Sequence, residues 1–123
     1  MSTMAKNRRR QRRYQVARET MARVEFECRG RYIRSEVTNL SASGLSFSLD
    51  PTDDLTGLDE GESFHEAVVR VGDCAMRGEL LLMHMTQDGG SRYVCGALFY
   101  PATDTDLVKL KSVIAGMEVA GTD

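Results

Sequence analysis

Short stretches of alternating apolar and polar residues account for much of the chain after residue 22. Apolar side chains alternate with charged ones between Val24 and Cys28, and with serines between Leu45 and Leu49. An alternation with a period of two is typical of a strand with one buried face. Four further stretches are rich in β-favouring residues: Arg31 to Thr38, Phe64 to Val71, Ala75 to Met85 and Tyr93 to Phe99. The pattern therefore predicts six strands.

Turn-forming residues separate these stretches. Gly30 follows the first predicted strand, and Gly72 lies between the fourth and the fifth. Residues 88–91 read Asp-Gly-Gly-Ser, which is a strong hairpin signal. The segment from Asp50 to Glu62 is acidic and contains a proline and two glycines, so we expect a surface loop there.

The period of the pattern changes near the C-terminus. Apolar residues recur there at steps of three and four: Leu107, Leu110, Val113, Ile114 and Met117. Thr103 and Asp104 precede them and are suitable N-caps. This spacing predicts an α-helix over about 104–117 with one apolar face.

The order of elements predicts a mainly β fold. Six strands with closely spaced turns and one terminal helix indicate a small antiparallel barrel or sandwich. We expect the helix to close one end, because a small domain needs its apolar surface buried. A chain of 123 residues fits one domain. We assign that domain to residues 14–123, after a flexible arginine-rich arm at 1–13 that lacks apolar periodicity.

The composition favours a cytoplasmic protein that is not inserted in a membrane. Hydrophobic residues make up 41% and charged residues 28% of the chain, as in ordinary globular proteins. No apolar run approaches the ~20 residues of a membrane helix, and no apolar segment follows the basic N-terminus as in a secretory signal. Cys28, Cys74 and Cys95 form no close pair, so we expect reduced thiols that serve as small core residues.

The net charge of −2 hides a strong asymmetry. Residues 1–34 hold eleven Lys or Arg against three Glu, a balance of +8, whereas the remainder holds five basic and fifteen acidic residues, a balance of −10. Such polarity indicates an anionic partner for the basic end.

Enzyme chemistry finds little support in the sequence. His65 and His84 are isolated and have no neighbouring Cys, His or carboxylate at metal-ligand spacing. No nucleophile elbow, Walker loop or glycine-rich dinucleotide loop occurs. We therefore expect neither a catalytic residue nor a metal site, and we expect His84 to be structural.

The arginine run is the first candidate binding element. Arg8, Arg9, Arg10, Arg12 and Arg13 place five guanidinium groups within six positions. A guanidinium is a planar fork that suits phosphate oxygens or the O6 and N7 edge of guanine, and it can stack on a base. The same run would also bind RNA, DNA or an acidic membrane surface without specificity.

The segment from Asn39 to Gly44 is the second candidate. Asn39 and Ser41 can offer an amide, a hydroxyl and backbone groups from one turn. Gly44 permits a positive φ or a close approach just before the next strand. Taken alone, this segment also fits a simple strand connection.

Together the two elements resemble the PilZ domain family. Its R-x-x-x-R motif matches Arg9 to Arg13, and Arg8 to Arg12 fits equally well. Its [D/N]-x-S-x-x-G motif matches Asn39 to Gly44, at a spacing from the arginines that the family shares. The stretch from Gly96 to Phe99 and the helix after it also look like the end of the family's domain.

The resemblance implies a fold and a ligand. PilZ domains are six-stranded antiparallel β-barrels that act as receptors for cyclic di-GMP, with no other cofactor. By resemblance, Arg9 and Arg13 would contact phosphates and guanine faces, whereas Asn39 and Ser41 would bind guanine edges. Gly44 would shape the turn, and Arg10 or Arg12 would add a stacking contact.

The same resemblance implies a signalling role. The chain would pass its signal to an effector protein that controls motility, adhesion or exopolysaccharide production, and we expect a monomer. Two alternatives remain at this point: a PilZ-like adaptor that has lost its ligand, and a basic-arm nucleic-acid binder. The acidic balance of residues 35–123 disfavours nucleic acid, because a broad basic face is then missing.

Overall fold

A computed structural model describes residues 14–15, 21–50, 57–87 and 92–121. Seven strands and one helix lie in these ranges: β1 (Tyr14–Gln15), β2 (Ala22–Cys28), β3 (Arg31–Leu40), β4 (Gly44–Leu49), β5 (Ser63–Val71), β6 (Cys74–Gln87), β7 (Tyr93–Pro101) and α1 (Asp104–Gly121). The six predicted strands are present as β2 to β7, and the predicted helix runs four residues further, to Gly121. The arm at 1–13 and the hairpin turn at 88–91 lie outside the described residues, and the domain boundary at residue 14 stays a prediction.

The strands form one antiparallel sheet that closes on itself. Their order is β1-β3-β2-β5-β6-β7-β4, and β4 also pairs with β3. Strands β2 to β7 therefore form a six-stranded barrel, which confirms the predicted fold class and excludes the sandwich. The two-residue β1 lies outside the ring and adds to the edge of β3.

The barrel interior is filled by the apolar positions of the alternating pattern. Phe26 is fully buried and packs against two other rings, at 5.9 Å from Phe47 and 4.7 Å from Phe64 between centroids. Such a buried side chain stabilises the fold by roughly 1.5–3 kcal/mol relative to an exposed one. Cys28 and Cys95 are buried in this core and Cys74 packs against it, all three as free thiols, in agreement with the sequence prediction. Burial raises the pKa of the Cys95 thiol to about 11.

Glu25 departs from the alternation that places charged residues of β2 in solvent. The residue is only 4% exposed. The Tyr32 hydroxyl donates to its carboxylate at 2.7 Å, and Arg70 Nε donates to the same oxygen at 3.0 Å. Arg34 Nε lies 3.4 Å from the other oxygen. Burial raises the pKa of the Glu25 carboxyl, but the hydrogen bonds from Tyr32 and Arg70 and the two arginine charges outweigh it, so the net pKa is lowered.

Helix α1 begins with a side-chain cap. Thr103 Oγ1 accepts a hydrogen bond from the N–H of Asp106 at 3.2 Å, which satisfies a donor of the first turn. One carboxylate oxygen of Asp106 accepts from the N–H of Arg77 at 3.0 Å, so the cap is joined to β6. Leu110 is 1% exposed and carries the apolar face of the helix into the core. Among the described residues, no helix combines the length and apolar character needed to cross a bilayer.

Candidate ligand-binding site

The connection between β3 and β4 is tighter than the sequence predicts. The sequence predicts a turn that begins at Asn39, but β3 continues through Leu40 and β4 begins at Gly44. Asn39 and Leu40 remain in the strand because they pair with β1 on one side and with β4 on the other. Only residues 41–43 form the turn itself.

Ser41 holds this turn from within. The residue is buried, with only 1% of its surface exposed. Ser41 Oγ accepts hydrogen bonds from the N–H groups of Gly44 at 3.1 Å and Ser43 at 3.3 Å. It donates to the carbonyl oxygen of Gly44 at 3.2 Å, and the Ser41 N–H donates to that oxygen at 2.8 Å. The serine therefore makes the local side-chain to backbone bonds that are typical of a fixed turn.

Gly44 is required by a close approach of two backbones. Its φ lies outside the left-handed region, so of the two sequence-based reasons for a glycine the close approach applies. A methyl group at this position would overlap the carbonyl oxygen of Ala97 on β7, and would lie 3.2 Å from Leu98 Cα. The N–H of Phe99 donates to the carbonyl oxygen of Ser43 at 2.9 Å. The turn is thus clamped against the C-terminal half of β7.

Asn39 lies directly after an irregularity in the β3–β4 ladder. The register shifts between Val37 and Asn39, and Asn39 then pairs with Ser46. A bulge of this kind changes the direction of the side chains that follow it and is common beside binding sites. Asn39 is half-buried on the outer face, next to the buried Leu40.

Strand β1 joins the two predicted binding elements. Tyr14 pairs with Leu40, and Gln15 pairs with Asn39. The arginine run ends at Arg13, which is bonded to Tyr14. Arg8 to Arg13 themselves lie outside the described residues, but the residue to which they are joined is placed beside the predicted turn. Sequence reasoning missed β1, because two residues are too short to show a period.

Helix α1 lies at the same end of the barrel. Gly44 pairs with Leu98, close to the end of β7 from which the chain enters the helix. The helix contacts β6 most extensively and also contacts β7 and β1. β1 therefore lies beside both α1 and Leu40, the residue that precedes the turn at Ser41.

Solved structures share this arrangement of a six-stranded barrel with a C-terminal helix. The PilZ domain of YcgR from Escherichia coli, solved with c-di-GMP, superposes with a TM-score of 0.77 at 19% identity, over 93% of this chain and 94% of that one. The chain has the PilZ-domain fold.

Longer proteins contain the same PilZ fold. The K. pneumonia MrkH–c-di-GMP complex matches with a TM-score of 0.81 at 16% identity, over 93% of this chain and 53% of that one. Bacillus subtilis MotI/DgrA, described as an inhibitor of motility, matches with a TM-score of 0.74 at 18% identity, over 94% of this chain and 53% of that one. The chain spans about half the length of these two proteins. No protein-family model matches the chain, and no curated protein does.

Proposed function

We propose that this protein is a cytoplasmic receptor for cyclic di-GMP that passes its signal to an effector protein. The observation that carries the proposal is the pairing of Tyr14 with Leu40 and of Gln15 with Asn39. An extended chain advances at most about 3.6 Å per residue, so Arg9 to Arg13 lie within roughly 18 Å of the Tyr14 Cα. For Arg8, in the alternative register, the limit is roughly 22 Å, so the short connection allows the arginines of either register to reach the turn at Ser41.

The chemistry of the two elements matches the ligand. Two phosphodiesters and the O6 and N7 edges of two guanines need donors, which arginine forks supply. The N1–H and N2–H groups of guanine need acceptors, which the amide oxygen of Asn39 supplies. YcgR and MrkH, which share the fold, were solved with c-di-GMP.

Ser41 and Gly44 contribute mainly by shaping the turn. The Ser41 hydroxyl already bonds to Ser43 and Gly44, and its residue is almost fully buried. We therefore assign the contact with a guanine edge to Asn39 first. Direct binding by Ser41 stays a prediction, and it requires the hydroxyl to leave the turn.

The arm provides a route for the signal. We propose that the ligand orders the arginine run against β1 and the turn, since segments that fold on binding are natural switches. Because α1 contacts β1, the ordered arm and the helix form a surface that an effector can recognise. Proteins that share the fold suggest effectors in motility or transcription, since they include an inhibitor of motility and a c-di-GMP-dependent transcription regulatory factor.

Isothermal titration with cyclic di-GMP tests the proposal. We expect micromolar or tighter binding that is lost in Arg9→Ala/Arg13→Ala and weakened in Asn39→Ala. Comparison with Arg8→Ala/Arg12→Ala decides the register of the arginine motif. Arg29→Ala, which removes an exposed arginine of the β2–β3 turn at the opposite end of β3, is the matched control and is expected to bind normally.

Two results would contradict receptor function. If no heat of binding is detected at high protein concentration, the result favours the alternative of a PilZ-like adaptor that has lost its ligand. Binding to generic DNA or RNA that falls steeply with salt, and that cyclic di-GMP does not displace, would favour the nucleic-acid alternative.

A further inference from the structure

Four residues form one row across the outer face of the barrel. Asn39 on β3 pairs with Ser46 on β4, Ser46 pairs with Gly96 on β7, and Gly96 pairs with His84 on β6. On β4 and β7 the neighbours of the row point inward, as the burial of Leu45, Phe47, Cys95 and Ala97 shows. The row therefore extends the candidate site from Asn39 across two further strands to His84.

Both ends of the row follow an irregularity in strand pairing. The β3–β4 register shifts just before Asn39, and the β6–β7 register shifts between Leu82 and His84. As a result Met83, at 48% exposure, and His84 are exposed in succession, although they are consecutive in one strand. Bulges are over-represented beside binding sites, where they redirect side chains.

Gly96 allows the imidazole of His84 to lie against the β7 backbone. A methyl group at Gly96 would overlap His84 Nε2 and would lie 2.7 and 2.8 Å from its Cε1 and Cδ2 atoms. Any residue other than glycine would displace the ring. Glycine inside a strand often marks such a close approach. The ring therefore lies over β7. It is one strand closer to Ser46 and Asn39 than the backbone of His84, which lies in β6.

An arginine side chain lies on the same face. Arg92 Nη2 donates to Ser48 Oγ on β4 at 3.1 Å. Ser48 follows Ser46 by two residues and so points to the same side of the sheet. The face between Asn39 and His84 thus has a floor of small side chains, with hydrogen-bonding groups around it.

We infer that His84 positions the half of the ligand that lies farther from the arginine run. This inference rests on the proposed function. The imidazole N–H donates to an oxygen acceptor of the dinucleotide, either a phosphate oxygen or guanine O6. Strands lie about 4.8 Å apart, so Asn39 and the ring over β7 are roughly 10 Å apart along the sheet, which two linked nucleotides can bridge.

Titration of His84 variants with cyclic di-GMP tests the inference. Loss of one hydrogen bond to the ligand, at the upper end of the range for guanine O6 and the lower end for a phosphate oxygen, corresponds to about a tenfold change in Kd. We expect that loss in His84→Ala and recovery of most of it in His84→Gln, which keeps an N–H donor. His65→Ala is the matched control, because His65 is exposed and faces Glu79 instead of the row. Equal binding by wild type and His84→Ala would overturn the inference, as would a glutamine variant as weak as the alanine variant.

A double-mutant cycle separates binding by the ring from packing around Gly96. If Gly96→Ala acts by displacing the imidazole, it weakens binding in the wild type but not further in His84→Ala. If Gly96→Ala weakens cyclic di-GMP binding by the same factor in wild type and in His84→Ala, the link between Gly96 and His84 is wrong. If the wild type binds and only the His84 results are negative, the inference fails alone. If the wild type does not bind, the proposed function fails with it.

Discussion

Gln15 and Asn39 are register partners in the short ladder between β1 and β3. Asn39 also pairs with Ser46 on its other side, so it lies between β4 and the strand that continues the arginine run. The backbone of Asn39, one predicted ligand contact, is thus paired with the strand that follows the arginine run in the chain. We therefore expect β1 to couple the proposed ordering of the arm to the position of Asn39, and a break in β1 should separate them.

Gln15→Pro should weaken cyclic di-GMP binding at least tenfold with little loss of stability. Proline lacks an N–H and fixes φ near −65°, so it interrupts β1. Because β1 has only two residues, we expect the melting temperature to fall by less than about 4 °C, which corresponds to less than about 1 kcal/mol. Titration and thermal unfolding check both values. Gln15→Ala keeps the backbone donor, and equal binding by the proline and alanine variants would show that β1 does not position the arm.

Ser41→Ala should destabilise the barrel by about 1–3 kcal/mol in urea unfolding. The change leaves the N–H groups of Ser43 and Gly44 without their side-chain acceptor, and at least the latter is buried. Ser112→Ala, on the exposed face of α1, is the control and should change stability by less than about 0.5 kcal/mol. If Ser41→Ala instead abolishes ligand binding and leaves stability unchanged, the hydroxyl contacts the ligand directly.

The alternating pattern predicts most of the fold because each strand has one face in a single barrel interior. Val24 and Phe26 are fully buried, as their period of two requires. The pattern fails at Glu25, which reads as a solvent-facing residue but is buried by Tyr32, Arg34 and Arg70. Arg70 is 45 positions away in the sequence, so the residues near Glu25 in the chain do not predict this ion pair.

The candidate site was predictable only in its motif residues. Asn39, Ser41 and Gly44 form one local segment, and their chemistry is visible in the sequence. The row that continues to His84 depends on strand order and on two register shifts, which the sequence does not display. The sequence alone therefore predicts only a structural role for His84 and gives no reason for the glycine opposite it.

Gly44→Ala should cost about 1–3 kcal/mol of stability, as overpacking of a tight contact does. The added methyl group would overlap the Ala97 carbonyl oxygen, and backbone atoms cannot move aside as a flexible side chain can. Gly116→Ala is the same chemical change where nothing lies within 4 Å, and it should stabilise α1 by about 0.5–1 kcal/mol. Urea unfolding of both variants measures the difference. A Gly44→Ala variant as stable as wild type would show that β4 and β7 can move apart at this position without loss of stability.

Glu25 should give the barrel an acid-sensitive component of stability. Its folded-state pKa lies below the ordinary value of 4.5, so the unfolded chain binds a proton more readily than the folded protein. The contribution is present above about pH 4.5 and is lost as the pH falls through the lower folded-state pKa.

Glu25→Gln should reduce stability by about 1–2 kcal/mol at pH 7, because Arg34 and Arg70 are half-exposed and solvent weakens the pair. Its stability should then depend less on pH than that of wild type between pH 5 and pH 3 (roughly the window of carboxylate titration). Glu27→Gln, an exposed change on the same strand, should retain the wild-type profile in urea unfolding across that range. Identical pH profiles for Glu25→Gln and wild type would mean that the carboxylate is not held in its charged form by Tyr32, Arg34 and Arg70.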